Sequence, residues 1–266
     1  LAWYLREVPK DELTIAGLCD GASSFERELK KVKSDLAAKD QWYPYDTLGN
    51  VFHLRSLLPA QYSELGSMTA GLPVADFGAA DGDLAFFLAS RGLNVDIVDW
   101  GPTNWNGLRG ARLLAQRLQL PVSIFEVDLD TQFTLPRERY GLALFLGILY
   151  HLQNPFYALR TLAERTSYCL LSTRVARVVG RRSTSIADLP LAYLLDPDES
   201  NNDSTNYWIF SPAGLRRICA RAGWTVLNEL FVGRTKGDSN PSSPNRDERA
   251  YLLLSSKAHV SGEHNA

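Results

Sequence analysis

The chain has 266 residues, of which 45% are hydrophobic and 22% charged, with a formal net charge of −2. That length suits one large domain or a domain with a cap, and the charge excludes any global attraction to nucleic acid or acidic membranes. No apolar run approaches the roughly 18 residues of a membrane span. Cys19, Cys169 and Cys219 are far apart, lack metal-ligand spacing, and fit reduced thiols in a cytoplasmic protein.

Residues 1–22 carry no pattern. Ser23-Ser24-Phe25-Glu26 reads as a capping box, after which Phe25, Leu29, Val32 and Leu36 share one helical face. Gln41-Trp42-Tyr43-Pro44-Tyr45 is an aromatic cluster whose proline is unsuited to a helix interior. It reads either as a hinge packed on the core or as a lid, since aromatic faces attract cations. Asn50 is placed to cap a short helix with Val51, Leu54, Leu57 and Leu58 on its buried side, closed by Pro59. Residues 1–70 therefore read as an N-terminal helical cap, 71–258 as the main domain, and 259–266 as a frayed tail.

Val74 through Asp83 reads as strand, small-residue turn and helix start, with Leu84, Phe86, Phe87 and Leu88 in helical pattern and Gly92 as the residue beyond the helix end. This is the arrangement in which backbone comes close to a nucleotide-like ligand. Gly78 and Gly82 allow a sharp turn and close approach. The dinucleotide fingerprint G-x-G-x-x-G fails, because Ala80 takes the place of its second glycine. Val95–Asp99 is a second strand, with Asp99 about 20 residues beyond the turn, the spacing at which an acid meets ribose hydroxyls. Thr103 or Asn104 is expected to open a helix with Trp105, Leu108, Leu114 and Leu118 inward. A third strand, Val122–Val127, ends in Asp128-Leu129, an acid for an exocyclic amine and an apolar side chain for an adenine face. A fourth, Leu142–Leu146, runs into Gly147-Ile148-Leu149-Tyr150-His151. Acids, glycines and a histidine thus fall at one edge, the ligand edge of an open α/β sheet.

Asn154-Pro155 opens the next helix, with Phe156, Leu159 and Leu162 expected to face the sheet. Cys169–Val175 is a fifth strand. The connection from Arg174 to Phe210 is longer than a crossover needs, and residues 176–210 read as a substrate-covering insertion. It holds Arg174, Arg177, Arg181 and Arg182, then Asp198 through Trp208, where amides, carboxylates and aromatics either orient a polar substrate or form an Asx-rich turn. Ser211-Pro212 starts a helix that ends near Ala222-Gly223. Trp224–Val232 and Ala250–Ser255 are the sixth and seventh strands, joined without a helix and therefore antiparallel.

The chain resembles the class I S-adenosylmethionine-dependent methyltransferases. Asp76-Phe77-Gly78-Ala79-Ala80-Asp81-Gly82 matches the family's first motif, Asp99 the second, Asp128 the third, and Leu146 through His151 the fourth. The resemblance implies an α/β fold, a Rossmann-like seven-stranded sheet with an antiparallel last strand. It also implies S-adenosyl-L-methionine as cofactor, held by Asp76, Phe77, Gly78, Ala79, Gly82, Asp99, Trp100, Asp128, Leu129, Leu146 and Gly147. Gly147 through Leu152 with Asn154-Pro155, and the Asn-Asn-Asp…Asn-Tyr-Trp stretch, resemble the tRNA wobble-uridine carboxymethyltransferases and their uncharacterised relatives. Two features depart from that branch. Trp42-Tyr43-Pro44-Tyr45 offers no lysine or arginine for a carboxylated cofactor, and the chain has no overall basic character for tRNA.

The expected function is methyl transfer to a small-molecule acceptor. His151 is the candidate base, with an unperturbed pKa of about 6.5, and Tyr150 either lines the methyl pocket or packs. Trp42, Tyr43, Asn201, Asn202, Asn206 and Trp208 are the expected acceptor contacts, walling a chamber with Tyr150 and His151. No metal set is expected. Three alternatives stand beside this reading. A tRNA-modifying methyl- or carboxymethyl-transferase would need a continuous basic face from Arg174, Arg177, Arg181 and Arg182. A non-catalytic protein of the same fold would bind the cofactor or a partner without turnover. A nicotinamide-dependent dehydrogenase is disfavoured by Ala80 and the terminal hairpin.

Overall fold

The computed structural model describes residues 13–36, 42–199, 202–233, 236–243 and 245–259. The chain forms two compact units. The first runs to Asp128 and takes in Leu135–Leu144; the second holds Leu129–Thr134 and the residues from Phe145 onward.

In the first unit, helix α1 (Ile15–Asp35) begins well before Ser23, with Thr14 as its cap, accepting from the Gly17 amide at 3.1 Å. Ile15, Leu18, Ala22, Phe25 and Leu29 form one buried stripe, so tertiary burial overrides the local capping box at Ser23. Helix α2 (Asn50–Leu57) buries Val51, Leu54 and Leu57 as expected, but Asn50 lies inside the helix and its side-chain amide donates to Thr47 O. The short α3 (Leu65–Thr69) leads into β1 (Val74–Phe77), α4 (Asp83–Ser90), β2 (Val95–Asp99), α5 (Arg109–Leu118), β3 (Val122–Glu126) and β4 (Tyr140–Leu146). β1 lies between β4 and β2, and β3 pairs with β2, all in parallel. Helix α4 ends as expected: Gly92 has φ +88°, its amide bonds Ala89 O, and the Leu93 amide bonds Leu88 O.

Two features here escaped the sequence reading. Helix α5 starts at Arg109, because the Asn104 side chain is otherwise engaged. Its amide donates to Asp99, and its Oδ1 accepts from the Asn106 and Leu108 amides, which holds residues 100–108 in turns and leaves Trp105 exposed. Asp96, fully buried on β2, accepts from Arg137 Nε at 2.7 Å, Arg137 Nη2 at 3.0 Å and the Tyr140 hydroxyl at 2.9 Å.

In the second unit, α6 (Pro155–Arg165) precedes β5 (Thr166–Val175). Pro155 holds the first turn, while the Asn154 side chain donates to Asp130 O rather than capping the helix. Leu159 and Leu162 are buried, but Phe156 faces solvent. The long connection contains a pair of two-residue strands, β6 (Val178–Val179) and β7 (Thr184–Ser185). Strand β8 (Ala192–Leu194) follows and pairs with β9 (Trp208–Phe210). Ser211 caps α7 (Pro212–Arg221) by accepting from the Gly214 amide at 2.9 Å. Strands β10 (Trp224–Gly233) and β11 (Glu248–Ser256) are the expected antiparallel pair, and β11 also runs antiparallel to β5. Parallel strands, helices and this terminal hairpin make the chain mixed α/β, as the motifs imply.

Two of the four connection arginines are already engaged. Arg174 is buried against Asp247 at 2.6 Å, and Arg177 grips the fully buried Glu248 at 2.9–3.0 Å. They do not belong to a continuous basic face. Among the described residues no helix is long and apolar enough to cross a membrane.

Because Asp96 has no access to water, each of its donors matters. Tyr140→Phe should cost about 1–3 kcal/mol, measured by urea denaturation. An unchanged midpoint would mean that Arg137 alone satisfies the carboxylate.

Candidate functional site

The first-motif turn leaves β1 through residues that favour a left-handed backbone. Gly78 has φ +63° and donates to Val98 O at 3.0 Å; Ala80 has φ +57° and Gly82 φ +83°. Ala80 thus adopts the glycine conformation of the missing fingerprint, at a cost of about 1–2 kcal/mol. Gly82 also has an internal role. A Cβ there would lie 2.5 Å from Ile97 Cδ1 and 3.1 Å from the Phe86 ring, so the packing of α4 on β2 by itself requires the glycine. Phe77 and Ala79 are buried.

Asp76, Asp99 and Asp128 stand at or just beyond the carboxyl ends of three adjacent parallel strands. Burial pushes the Asp76 carboxyl up to about 8, and the charge of Asp99 adds to this. Burial also raises Asp99, opposed by donors from the Asn104 side chain (2.9 Å), the Trp100 amide (2.7 Å) and the Ala80 amide. Asp99 O accepts from the Val127 amide at 2.9 Å, which brings the Asp128 end of β3 alongside. The aromatic segment is tied to the same turn. The Tyr43 amide donates to Asp81 at 2.8 Å, its hydroxyl accepts from the Trp105 amide at 2.7 Å, and burial pushes the phenol up to about 12. Lys33 Nζ lies 5.2 Å from the Trp42 ring centre, and the buried Trp42 Nε1 has no hydrogen-bond partner among the described residues.

The second unit holds the remaining candidates. Leu129 is buried; Leu146 and Gly147 (φ +80°) close β4, the Gly147 amide bonding Ser172 O at 2.9 Å. Tyr150 and His151 share one 3-10 turn, ring centres 4.2 Å apart. His151 Nδ1 is 3.1 Å from Thr205 O and 3.0 Å from Thr205 Oγ1. The Thr205 hydroxyl proton is committed to Asp203 at 2.6 Å, so both oxygens present lone pairs to Nδ1. Nδ1 therefore carries the proton and Nε2 the lone pair. Burial holds the His151 pKa below its ordinary value, against an opposing pull from Thr205 and Asp203.

The Tyr207 amide bonds Tyr150 O at 2.8 Å, so the structure does bring the 202–208 stretch to Tyr150 and His151. Asn206 is buried, the buried Trp208 Nε1 has no hydrogen-bond partner among the described residues, and Asn202 is exposed in a turn with φ +57°. Asn201 lies outside the described residues. Trp42 and Tyr43, expected in the same chamber, belong to the first unit.

Sequence reasoning missed Thr205, Asp203 and Arg249. Arg249 sits directly across from Arg174 on β11, and its guanidinium centre is 5.6 Å from the Tyr150 ring centre. Arg174 takes Asp247, so among the described residues Arg249 has no carboxylate in ion-pair contact. The alternation Asp247, Arg249, Tyr251 along a strand was the available signal.

A family model described as a methyltransferase domain matches residues 30–229. No curated protein matches the chain. Among solved structures, the N-terminal domain of EvdMO1, crystallised with SAH and D-fucose, is similar over 87% of this chain and 97% of its own, at 16% identity and a TM-score of 0.55. An S-adenosylmethionine-dependent methyltransferase from Mesorhizobium loti is similar over 77% of this chain and 97% of its own, at 14% identity and a TM-score of 0.52. The [4+2]-cyclase SpnF covers 81% of this chain and 86% of its own, at 14% identity and a TM-score of 0.52. At these identities the likeness is one of fold.

The Asp76 shift carries a pH signature. Between the ordinary value of 3.8 and about 8, the folded chain holds a proton that the unfolded chain lacks. Stability should therefore fall as pH rises through that window, by up to about 1.4 kcal/mol per pH unit. Urea titrations without ligand should show Asp76→Asn flattening the slope; a variant with the wild-type slope would assign it to other groups.

Proposed function

From a chain that belongs to the methyltransferase-domain family and takes S-adenosylmethionine as its cofactor, we propose transfer of the cofactor's methyl group to a small-molecule acceptor. The observation that carries this reading is the state of His151, whose Nδ1–H is held by Thr205 while Nε2 keeps its lone pair.

The strained turn and the strand-end acids fit the cofactor. Asp99 accepts from its ribose hydroxyls, and Asp128 and Leu129 take the amine and the ring face of its adenine. Asp76, Phe77, Gly78, Ala79 and Gly82 shape the turn against it, and Trp100, Leu146 and Gly147 follow from the motif match. When bound, S-adenosylmethionine supplies an electrophilic methyl group. His151 accepts at Nε2 the proton that an acceptor hydroxyl or amine must lose. Asp203 orients Thr205, Thr205 orients the imidazole, and the nearby Asp203 charge favours the imidazolium that forms. Tyr150, Asn202, Asn206 and Trp208 contact the acceptor. A small acceptor is supported by the engagement of Arg174 and Arg177 in ion pairs and by the D-fucose in the EvdMO1 domain crystals.

Arg249 favours a second reading. A half-buried cation beside the Tyr150 ring, sharing only the more distant charge of the Asp247 that Arg174 binds, and with no carboxylate in ion-pair contact among the described residues, fits a ligand that brings one. That ligand is an acidic acceptor or the carboxylated cofactor of the wobble-uridine branch.

Formation of S-adenosylhomocysteine in the presence of hydroxylated and acidic small molecules tests both readings. His151→Ala should lower kcat by about 10²–10⁴ while leaving the KM for the cofactor nearly unchanged. Because the base works when neutral, wild-type kcat should fall as pH drops through the His151 pKa, with the acid limb below 6.5. Full turnover in His151→Ala would leave positioning as the source of rate.

A further inference from the structure

Asp81 lies in the first-motif turn, is almost completely buried, and accepts hydrogen bonds from three segments distant in sequence. Lys33 Nζ, near the end of α1, is 3.3 Å away; the Tyr43 amide and the Asn106 side-chain amide are each at 2.8 Å. Lys33 also reaches Asp83 at 2.8 Å and covers the Trp42 ring. The two other segments are joined to each other as well. The Trp105 amide donates to the Tyr43 hydroxyl, and the rings of Tyr43 and Trp105 meet edge to face at 5.7 Å. Even α5 is shaped to this carboxylate, since a Cβ at Gly110 would overlap Asp81 Oδ1. A carboxylate is stable so far from water only because several donors meet it. Those donors include the backbone of the aromatic segment itself.

We propose that Asp81 is a positioning residue that latches the Trp42–Tyr43 segment and the Asn104–Asn106 turns to the cofactor turn, so that opening this latch sets the rate at which cofactor and product leave. The proposal rests on the cofactor reading of that turn and assigns no cofactor contact to Asp81. Removing one carboxylate charge unfastens Lys33, Tyr43 and Asn106 together, because all three converge on it. The residues that hold the ligand stay in place. The exit rate should therefore respond more strongly than the stability of the unliganded fold.

Stopped-flow displacement of S-adenosylhomocysteine from the full chain tests this. Wild type is measured first, and absence of binding there would overturn the cofactor reading itself. Asp81→Asn, which preserves size, should raise the dissociation rate about tenfold, as expected for losing hydrogen bonds to a charged group. Hydrogen exchange at residues 42–45 should speed up in the same variant. Lys33→Met leaves Asp81 intact and should raise the rate by a smaller factor, which keeps the test usable if Asp81→Asn folds poorly. Tyr140→Phe is the control: it weakens the same unit away from the latch and should leave the rate unchanged. The latch is overturned if folded Asp81→Asn or Lys33→Met releases the ligand within about twofold of wild type, or if Tyr140→Phe speeds release equally.

Discussion

Carboxylates with little or no access to water constrain the first unit more than any other feature. Asp76, Asp81 and Asp96 are buried and Asp99 half-buried, all on or beside β1 and β2, and each has a different solution to its burial. Asp96 is matched by Arg137 and Tyr140. Asp81 is met by donors from α1, the aromatic segment and the Asn104–Asn106 turns. Asp99 is partly satisfied by its neighbours Trp100 and Asn104. Asp76 is pushed to about 8, which keeps its carboxyl protonated at neutral pH. These solutions divide the acids by role. Asp96 and Asp81 hold segments together; Asp99 and Asp76 stand where the strand ends open, with burial raising both, as at functional sites.

The second unit presents the opposite charge problem. Arg174 and Arg249 face each other across β5 and β11, where like charges are unfavourable. Asp247 relieves one of them, and the other rests against Tyr150. The same turn carries His151, whose tautomer is fixed through Thr205 and Asp203. Polar groups that the fold leaves incompletely paired thus gather around Tyr150 and His151, whereas Arg177, Glu248 and Ser239 form a closed structural set.

The sequence made the skeleton legible because strand ends are local signals: Asp76, Asp99 and Asp128 each follow an apolar run, and a Gly-rich turn follows the first. The terminal hairpin was equally local, two strands without a helix between them. The misread helix starts have a common cause. At Ser23 a valid capping pattern lay inside a longer buried stripe, and at Asn104 a good cap residue spent its side chain on Asp99 instead. Partners separated by tens of residues were out of reach: nothing near Asp81 announces Lys33 or Tyr43, and nothing near His151 announces Thr205. The packing reason for Gly82 was hidden for the same cause, since the atoms that exclude a side chain there include Ile97 on the next strand.

The central claim is that the acids at the strand ends form a seat for S-adenosylmethionine, with Asp99 on the ribose. Titration calorimetry with S-adenosylhomocysteine, comparing wild type with Asp99→Ala, tests it most directly. Wild type should bind S-adenosylhomocysteine and not NAD, and the variant should lose about 1.5–3 kcal/mol of binding, as expected for hydrogen bonds to a charged group. Equal affinity in the two proteins, or binding of NAD without S-adenosylhomocysteine, would contradict it.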